Sequence, residues 1–428
     1  MLYLCKQKST KQKAMKQILK DIIEDQKSFL QKKDYIPRVF DENIIHSEQI
    51  VIITGIRRCG KSVLLQQIRK KCKQRDYFFN FDDDRLSSFT QENFQDLYEV
   101  FIELYDQQDY FFFDEIQNIK GWEHFVKRLY NQGKKVFITG SNANMLSKEL
   151  GTFLTGCYIS IELYPFSFAE FLTFNHEETL VKNYNGTKSK AKVQSYFEKY
   201  LLMGGFPLYL RNEDNLILKT LYDNILYRDI MVRNQITNEK ELKEMVFFII
   251  SNIGKPLTYT SLAKVINIKN STTIKTYLDY IENTYLLFSI SKYDVSLKAQ
   301  IRNPKKIYCI DTALSLQLGF RVGKDIGRML ENLVLIELKR RGKEIFYYNN
   351  NAYECDFVTR EGFRITNAFQ VCYDMSDKLT EQREIEGLYA ALQEFSLQEG
   401  FIITDSRNET ITYKDKTIHI LPCWQWLL

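Results

Sequence analysis

The amino-acid sequence predicts an α/β fold that opens on a parallel sheet with helices on both faces and continues into a helical block and a smaller α/β block. Three observations predict it. Residues Gly55-Ile56-Arg57-Arg58-Cys59-Gly60-Lys61-Ser62 spell a complete phosphate-binding loop, set between a strand-like apolar run, 50–54, and a helix-like run, 63–71. Tyr110-Phe111-Phe112-Phe113 is the continuous apolar run that a strand buried on both faces needs, and it ends in Asp114-Glu115. Between about residues 34 and 172, apolar runs at 50–54, 77–81, 110–113, 135–139 and 157–163 alternate with helical segments, as in strands joined by crossover helices.

The chain begins with a basic stretch. Residues 1–33 hold nine lysines against Asp21, Glu24 and Asp25, a surplus larger than the formal net charge of +5 for the whole chain, so the remainder is close to neutral. Such a stretch can meet nucleic acid or a membrane surface. Ile18, Ile22, Ile23, Phe29 and Leu30 instead fit an amphipathic helix with a solvated lysine face, which is the expectation taken here. The near-neutral body argues against a large nucleic-acid surface.

The loop comes next, and each residue type in it has a chemical reason. Successive backbone N–H groups turn toward phosphate oxygens, Lys61 reaches the outer phosphates, and the Ser62 hydroxyl helps to hold magnesium. Gly55 and Gly60 let the backbone close on the anion without a Cβ in the way. The segment from Gly55 through Ile56, Arg57, Arg58, Cys59, Gly60, Lys61 and Ser62 to Val63 is therefore the expected nucleotide site. Asp114 and Glu115 emerge at the carboxyl end of their strand, where open α/β sheets bind ligands. Asp114 is expected to touch the ion or accept from a water on it, and Glu115 to orient or deprotonate the attacking water. The strand at 135–139 ends in Gly140-Ser141-Asn142. Ser141 or Asn142 would sense the γ-phosphate, or simply cap a turn. The acidic triplet Asp82-Asp83-Asp84 reads as a polar loop.

Composition bounds the rest. No run approaches the eighteen or so apolar residues of a membrane span, and the lysines from Lys6 onward interrupt any secretory pattern, so a cytoplasmic location is expected. The eight cysteines are scattered without close pairs or histidine neighbours, which predicts reduced thiols rather than a zinc site or a disulfide framework.

Downstream, residues 174–237 read as helical, with a polar connector near 182–190 and a sharp turn at Met203-Gly204-Gly205-Phe206-Pro207. Helices at 241–252, 260–266 and 272–285 before a strand at 286–293 suggest a winged helix-turn-helix. Its third helix offers Lys275 against Asp279 and Glu282, a poor set for reading DNA, so packing or interaction is favoured over base recognition.

A family resemblance now rests on these residues. The loop from Gly55 to Ser62, Asp114-Glu115-Ile116-Gln117 followed by Trp122-Glu123, Thr139-Gly140-Ser141, and Glu162-Leu163-Tyr164-Pro165-Phe166-Ser167-Phe168 with Glu170-Phe171 resemble a widespread group of prokaryotic AAA-type, archaeal-ATPase-like P-loop ATPases. Ser251-Asn252-Ile253-Gly254-Lys255-Pro256, Glu331-Asn332, Gln370-Val371 and Tyr373 fit the same pattern. The resemblance implies an N-terminal ATPase, a winged helix and a C-terminal domain similar to restriction-endonuclease-like folds. It also implies ATP and Mg²⁺ as cofactors, and roles in defence, regulation or DNA processing that would bring DNA, a protein partner or a homo-oligomer. The expected blocks are a basic helix at 1–33, the ATPase core at 34–172, a helical connector at 173–240, the winged helix at 241–300 and the nuclease-like domain at 301–428.

Two departures from that family's pattern carry consequences. Where many members have a glycine-arginine pair before the strand at Tyr158, this chain has Gly156-Cys157. An arginine that stabilises transferring phosphate charge contributes roughly a thousandfold or more in rate, so slow hydrolysis is expected unless Arg57, Arg58 or Arg128 serves. In the C-terminal block, Glu331, Asp356 and Gln370 fall where nuclease-like folds put their metal ligands. That chemistry needs an acid and, two positions on, a lysine; here those positions are Gln370 and Cys372. Glu354 and Asp356, two apart on one strand face, are still able to hold a hard cation. The expectation is a degenerate binding or scaffold domain with a vestigial site at Glu331, Glu354, Asp356 and Gln370.

Overall fold

Alternating faces organise the first sheet. In this structure, a computed structural model, the backbone is described for residues 2–30, 35–141, 154, 156–319 and 325–428, with the side chains of 2–10 and 28–30 left aside. The strands β1 (Ile50–Thr54), β2 (Asp76–Asn80), β3 (Tyr110–Asp114), β4 (Lys135–Gly140) and β5 (Tyr158–Glu162) are all parallel, in the order β2-β3-β4-β1-β5. Side chains two apart share a face. Ile50, Ile52, Phe111, Phe113, Val136 and Ile138 point into one core, shared with α1 (Leu2–Leu30), α3 (Asn93–Tyr105) and α4 (Trp122–Asn131). On the other face Phe112 stacks on Phe137 with ring centroids 4.7 Å apart, and α2 (Lys61–Cys72) packs there against β1, β3 and β4.

The lysine-rich start of the chain is a docked helix. Met15, Leu19, Ile22 and Ile23 of α1 are buried in the core beside α3. Lys16 pairs with Glu99 at 2.7 Å and Lys20 with Glu103 at 2.8 Å, so part of the expected solvated lysine face lies along the acidic edge of α3.

The chain divides into two compact units, Met1–Leu163 and Tyr164–Leu428. The second unit begins with helices Phe168–Phe174, Glu178–Lys182, Thr187–Met203, Pro207–Asn212 and Asn215–Asn224, the last running into a π-helical segment, Ile225–Val232. Helices Glu239–Ser251, Tyr259–Val265 and Ser271–Glu282 follow. The short β6 (Pro256–Leu257) lies between the first two of them, and β7 (Leu287–Lys292) and β8 (Lys305–Cys309) come after the third. These strands are not a separate sheet. β7 pairs with β8 on one side and with β9 (Glu344–Asn349) on the other, joining them to β10 (Glu354–Glu361), β11 (Arg364–Val371), β12 (Glu399–Thr404), β13 (Glu409–Tyr413) and β14 (Lys416–Pro422). The nine strands run β13-β14-β12-β11-β10-β9-β7-β8-β6. Helix Lys378–Glu394 covers β10, β11 and β12, placing Leu388, Ala391 and Leu392 in a core with Val358, Ala368 and Ile402.

Among the described residues no helix is long and apolar enough to cross a membrane.

Candidate active site

After Thr54 the chain turns through the phosphate loop into α2. A Cβ on Gly55, where φ is 139°, would lie 2.1 Å from the Leu163 carbonyl oxygen, so glycine alone lets the loop pass the end of β5. Ile56 and Cys59 are buried, Arg57 is half-buried, and Arg58 is exposed with a left-handed φ of 63°. Gly60 caps α2 with φ 107°, and the Cys59 N–H donates to the Ile56 carbonyl at 3.3 Å. The first N–H groups of α2 have no intrahelical acceptor and carry the positive end of the helix dipole toward the loop. Lys61 is only 4% exposed. Its Nζ donates to the carbonyls of Gly55 at 3.2 Å and Ile56 at 3.1 Å, and lies 4.0 Å from Glu115 Oε1. Ser62 is exposed and Val63 half-buried.

The two acids meet this loop because β3 and β4 are parallel and end level, Phe113 opposite Ile138. Asp114 is 3% exposed and accepts from Thr139 Oγ1 at 2.5 Å and from the Ser62 hydroxyl. Burial, with the Glu115 charge beside it, pushes the Asp114 carboxyl up to about 6, against the Thr139 and Ser62 hydrogen bonds and the Lys61 ammonium. The same Thr139 oxygen accepts the Glu115 N–H at 2.9 Å and so supports a residue held at φ 51°. Gln117 donates from Nε2 to Glu115 Oε2 and reaches Ser141 Oγ at 3.5 Å. Gln117 Oε1 is buried with no hydrogen-bond partner among the described residues. Asn142 lies outside the described residues.

These side chains fit a hydrated divalent cation and a polyphosphate. Ser62 and Asp114 offer hard oxygens of the kind magnesium takes, and a cation beside the raised carboxyl of Asp114 would keep it ionised. Two groups close to the loop were not among the sequence-derived site residues. Thr139 ties the two acids to β4; its signal is its place as the polar residue ending an apolar strand beside the Asp-Glu strand. Arg38, 5% exposed, donates from Nη1 to the Cys59 carbonyl at 2.5 Å, while its main-chain N–H donates to Gln67 Oε1 at 3.0 Å. No periodicity marks Arg38 in the sequence.

Cys157 stands away from the loop. β5 runs parallel to β1 with Tyr158 opposite Ile50 and Glu162 opposite Thr54, so position 157 is at the end of the sheet opposite the phosphate loop. Five residues of strand separate them, roughly 16 Å at 3.3 Å per residue. Its thiol accepts from Lys127 Nζ at 3.0 Å.

In the second unit Glu331, Glu354, Asp356 and Gln370 do come together, lining a cavity of about 370 Å³ with Arg383 and Glu384. Asp356 accepts from the Val371 N–H at 3.0 Å, and its own N–H donates to Gln370 Oε1 at 3.2 Å. Gln370 Nε2 donates to Glu384 Oε2 at 2.5 Å. Lys306, not among the residues expected at this site, sends its Nζ to 2.7 Å from Glu354, 3.1 Å from Asp356 and 3.3 Å from Glu331.

Comparison with known proteins finds relatives of the chain and a domain match over the first sheet. The family described as "AAA domain" matches residues 47–172, and a domain of unknown function, DUF8612, matches residues 194–324. The uncharacterized protein MJ1544 of Methanocaldococcus jannaschii is 33% identical over 430 residues, covering 96% of this chain and 95% of that protein. An uncharacterized protein of Haemophilus influenzae is 30% identical over 370 residues, covering 83% and 90%. Solved structures are more distant. Thermotoga maritima RuvB, a Holliday junction branch migration motor, is 14% identical over 63% of this chain and 97% of its own, with a TM-score of 0.27. Cdc6p of Pyrobaculum aerophilum is 11% identical over 68% and 97%, with a TM-score of 0.26. The chain belongs to the same family as the Methanocaldococcus and Haemophilus proteins, and its residues 47–172 match the AAA domain.

Proposed function

We propose that the first unit binds ATP with Mg²⁺ on Gly55–Val63 and hydrolyses it, and that the nucleotide state is passed to the second unit as a change in its interaction surface. The observation that carries this is the convergence of the Lys61 ammonium, the Ser62 hydroxyl and the Asp114 carboxyl at the ends of β1, β3 and β4. Lys61 would leave its two loop carbonyls for the outer phosphates. Ser62 and Asp114 would hold the metal, which when bound neutralises phosphate charge. Glu115, steadied by Thr139 and Gln117, would position the attacking water, and Ser141 with Asn142 would sense the γ-phosphate.

ATP turnover of wild type, Lys61→Ala and Glu115→Gln, with Mg²⁺ and with EDTA, tests the assignment. Glu115→Gln is expected to lose about 10²–10⁴-fold in rate while still binding ATP. Lys61→Ala is expected to bind about ten- to a hundredfold more weakly, the worth of a charged hydrogen bond. Equal turnover in all three proteins would remove the catalytic roles.

A slower, nucleotide-gated switch is the second reading, and Cys157 favours it. An arginine at 157 would be too far from its own phosphate loop to help, so the family residue would act on a neighbouring copy in a homo-oligomer; this chain lacks that contribution. For the second unit we favour a winged helix over residues 241–300 and a nuclease-like but degenerate domain over 301–428. The helix–strand–helix–helix–strand order from Glu239 to Lys292, followed by the short helix Leu297–Arg302 and then β8, supports the first. Gln370 and Cys372, where an acid and a lysine are needed, speak against an ATP-regulated nuclease. DNA association stays an outcome to be tested by measuring turnover with and without duplex.

A further inference from the structure

We propose that the cavity in the second unit carries its own covalent cation: the Lys306 ammonium occupies the point where Glu331, Glu354 and Asp356 converge, and it keeps a divalent metal ion out. This does not depend on the ATPase reading. The ammonium donates to Asp356 at 3.1 Å and Glu331 at 3.3 Å and forms an ion pair with Glu354 at 2.7 Å, so its N–H donors face three carboxylates at once. Lys306 is 2% exposed and reaches the acids that line the cavity without lining it itself, with the Tyr347 ring centroid 5.5 Å from its Nζ. Tyr308 adds a donor from the same strand, its hydroxyl 2.6 Å from Glu331 Oε1.

The geometry suits an ammonium better than a metal. Magnesium needs oxygens at about 2.0–2.1 Å in near-octahedral array, whereas here the carboxylates are spaced around a nitrogen at hydrogen-bonding distance. A metal ion entering the same point would meet a fixed positive charge at its centre. Lysine could make way only by leaving the buried Asp356 and the partly buried Glu331 and Glu354 without their partner, which is costly. Against burial, which lowers it, the surrounding carboxylates and Tyr308 hold the Lys306 ammonium well above the usual lysine range. Burial, with the Asp356 charge adding to it, pushes Glu331 up against the Lys306 ammonium and the Tyr308 hydrogen bond. On this account Glu331, Glu354 and Asp356 are the walls of a metal site whose ion has been replaced by a side chain from β8.

Mn²⁺ binding to the nucleotide-free full chain, read by electron paramagnetic resonance, tests the proposal. Lys306→Met, which keeps the length and removes the charge, is expected to bind one Mn²⁺ more than wild type, with Kd at or below about 1 mM, the weak end for carboxylate sites. Lys306→Met with Asp356→Asn is expected to lose that ion. The single variant should also melt lower than wild type in EDTA and recover with Mn²⁺, while the wild-type melting temperature stays where it is. A wild-type Mn²⁺ site that Asp356→Asn abolishes would overturn the proposal without any lysine variant. So would a folded Lys306→Met protein that binds no extra ion, or one that stays unfolded when Mn²⁺ is supplied.

Discussion

A carboxyl that is 3% exposed and has a second carboxyl as its chain neighbour holds its proton longer than usual, and for Asp114 that has a stability consequence. Its folded value of about 6 lies above the ordinary 3.8. Below about pH 4 the proton is on in both states and nothing is lost. Between 4 and 6 the folded state binds more protons than the unfolded one, so stability falls as pH rises, and above 6 the full cost, about 3 kcal/mol, is present. Asp114→Asn has no charge to bury. Urea unfolding of the nucleotide-free protein is therefore expected to give equal stability for variant and wild type at pH 4, and a variant more stable by up to about 3 kcal/mol at pH 7.5. A difference that does not change with pH would show that burial of the charge is not the cause. At this scale the sequence was legible where chemistry is contiguous. Gly55 to Ser62 and Asp114-Glu115 are linear motifs whose residue types are dictated by phosphate and metal. Thr139 and Lys306 escaped because their roles come from neighbours 25 and 50 residues away in the chain, brought close by strand pairing.

Elements were legible in proportion to their periodicity. The run at 50–54 is β1 as expected, and the helices expected at 241–252 and 260–266 are Glu239–Ser251 and Tyr259–Val265. What periodicity does not carry is which strand lies beside which. β7 and β8 look from the sequence like the strands of a small helical module, yet they are hydrogen-bonded into the same sheet as the C-terminal strands through Ser291 and Lys292 beside Phe346 and Tyr347. The same limit applies to α1. Its apolar positions predicted an amphipathic helix, but only the fold shows that Ile22 and Ile23 are buried in the core beside α3, with Ile18 packed against it; the side chains of Phe29 and Leu30 lie outside the described residues. Leu19 is fully buried. If α1 is part of the ATPase core, Leu19→Ala should cost about 3 kcal/mol, the middle of the range for emptying a buried leucine site, measured as a lowered urea midpoint of the first unit. A free tail would lose nothing. The surface change Lys13→Ala should be nearly silent and serves as the control.

At the scale of the molecule the question is whether two compact units act as one. The chain has three tryptophans, and they divide between the units: Trp122 is buried in the core of the first, and Trp424 and Trp426 lie on the final helix of the second, Cys423–Leu427. Fluorescence can thus follow each unit separately, in a Trp424→Phe/Trp426→Phe protein and in a Trp122→Phe protein. Multidomain chains need not unfold in one step, so two urea transitions are expected. A nucleotide that binds only the folded first unit stabilises it by about 2.7 kcal/mol at a hundred times Kd, and the Trp122 transition should move by that amount with ATP and Mg²⁺. Coupling adds a further requirement. If nucleotide state is passed on, the Trp424 and Trp426 transition should move as well, by the 1–3 kcal/mol or so typical of linked sites, and Lys61→Ala at the same ATP concentration should shrink the Trp122 shift to about 0.4–1.4 kcal/mol and reduce the other with it. A shift confined to Trp122 would leave the ATPase intact and remove the coupling, making the second unit a passenger of the first.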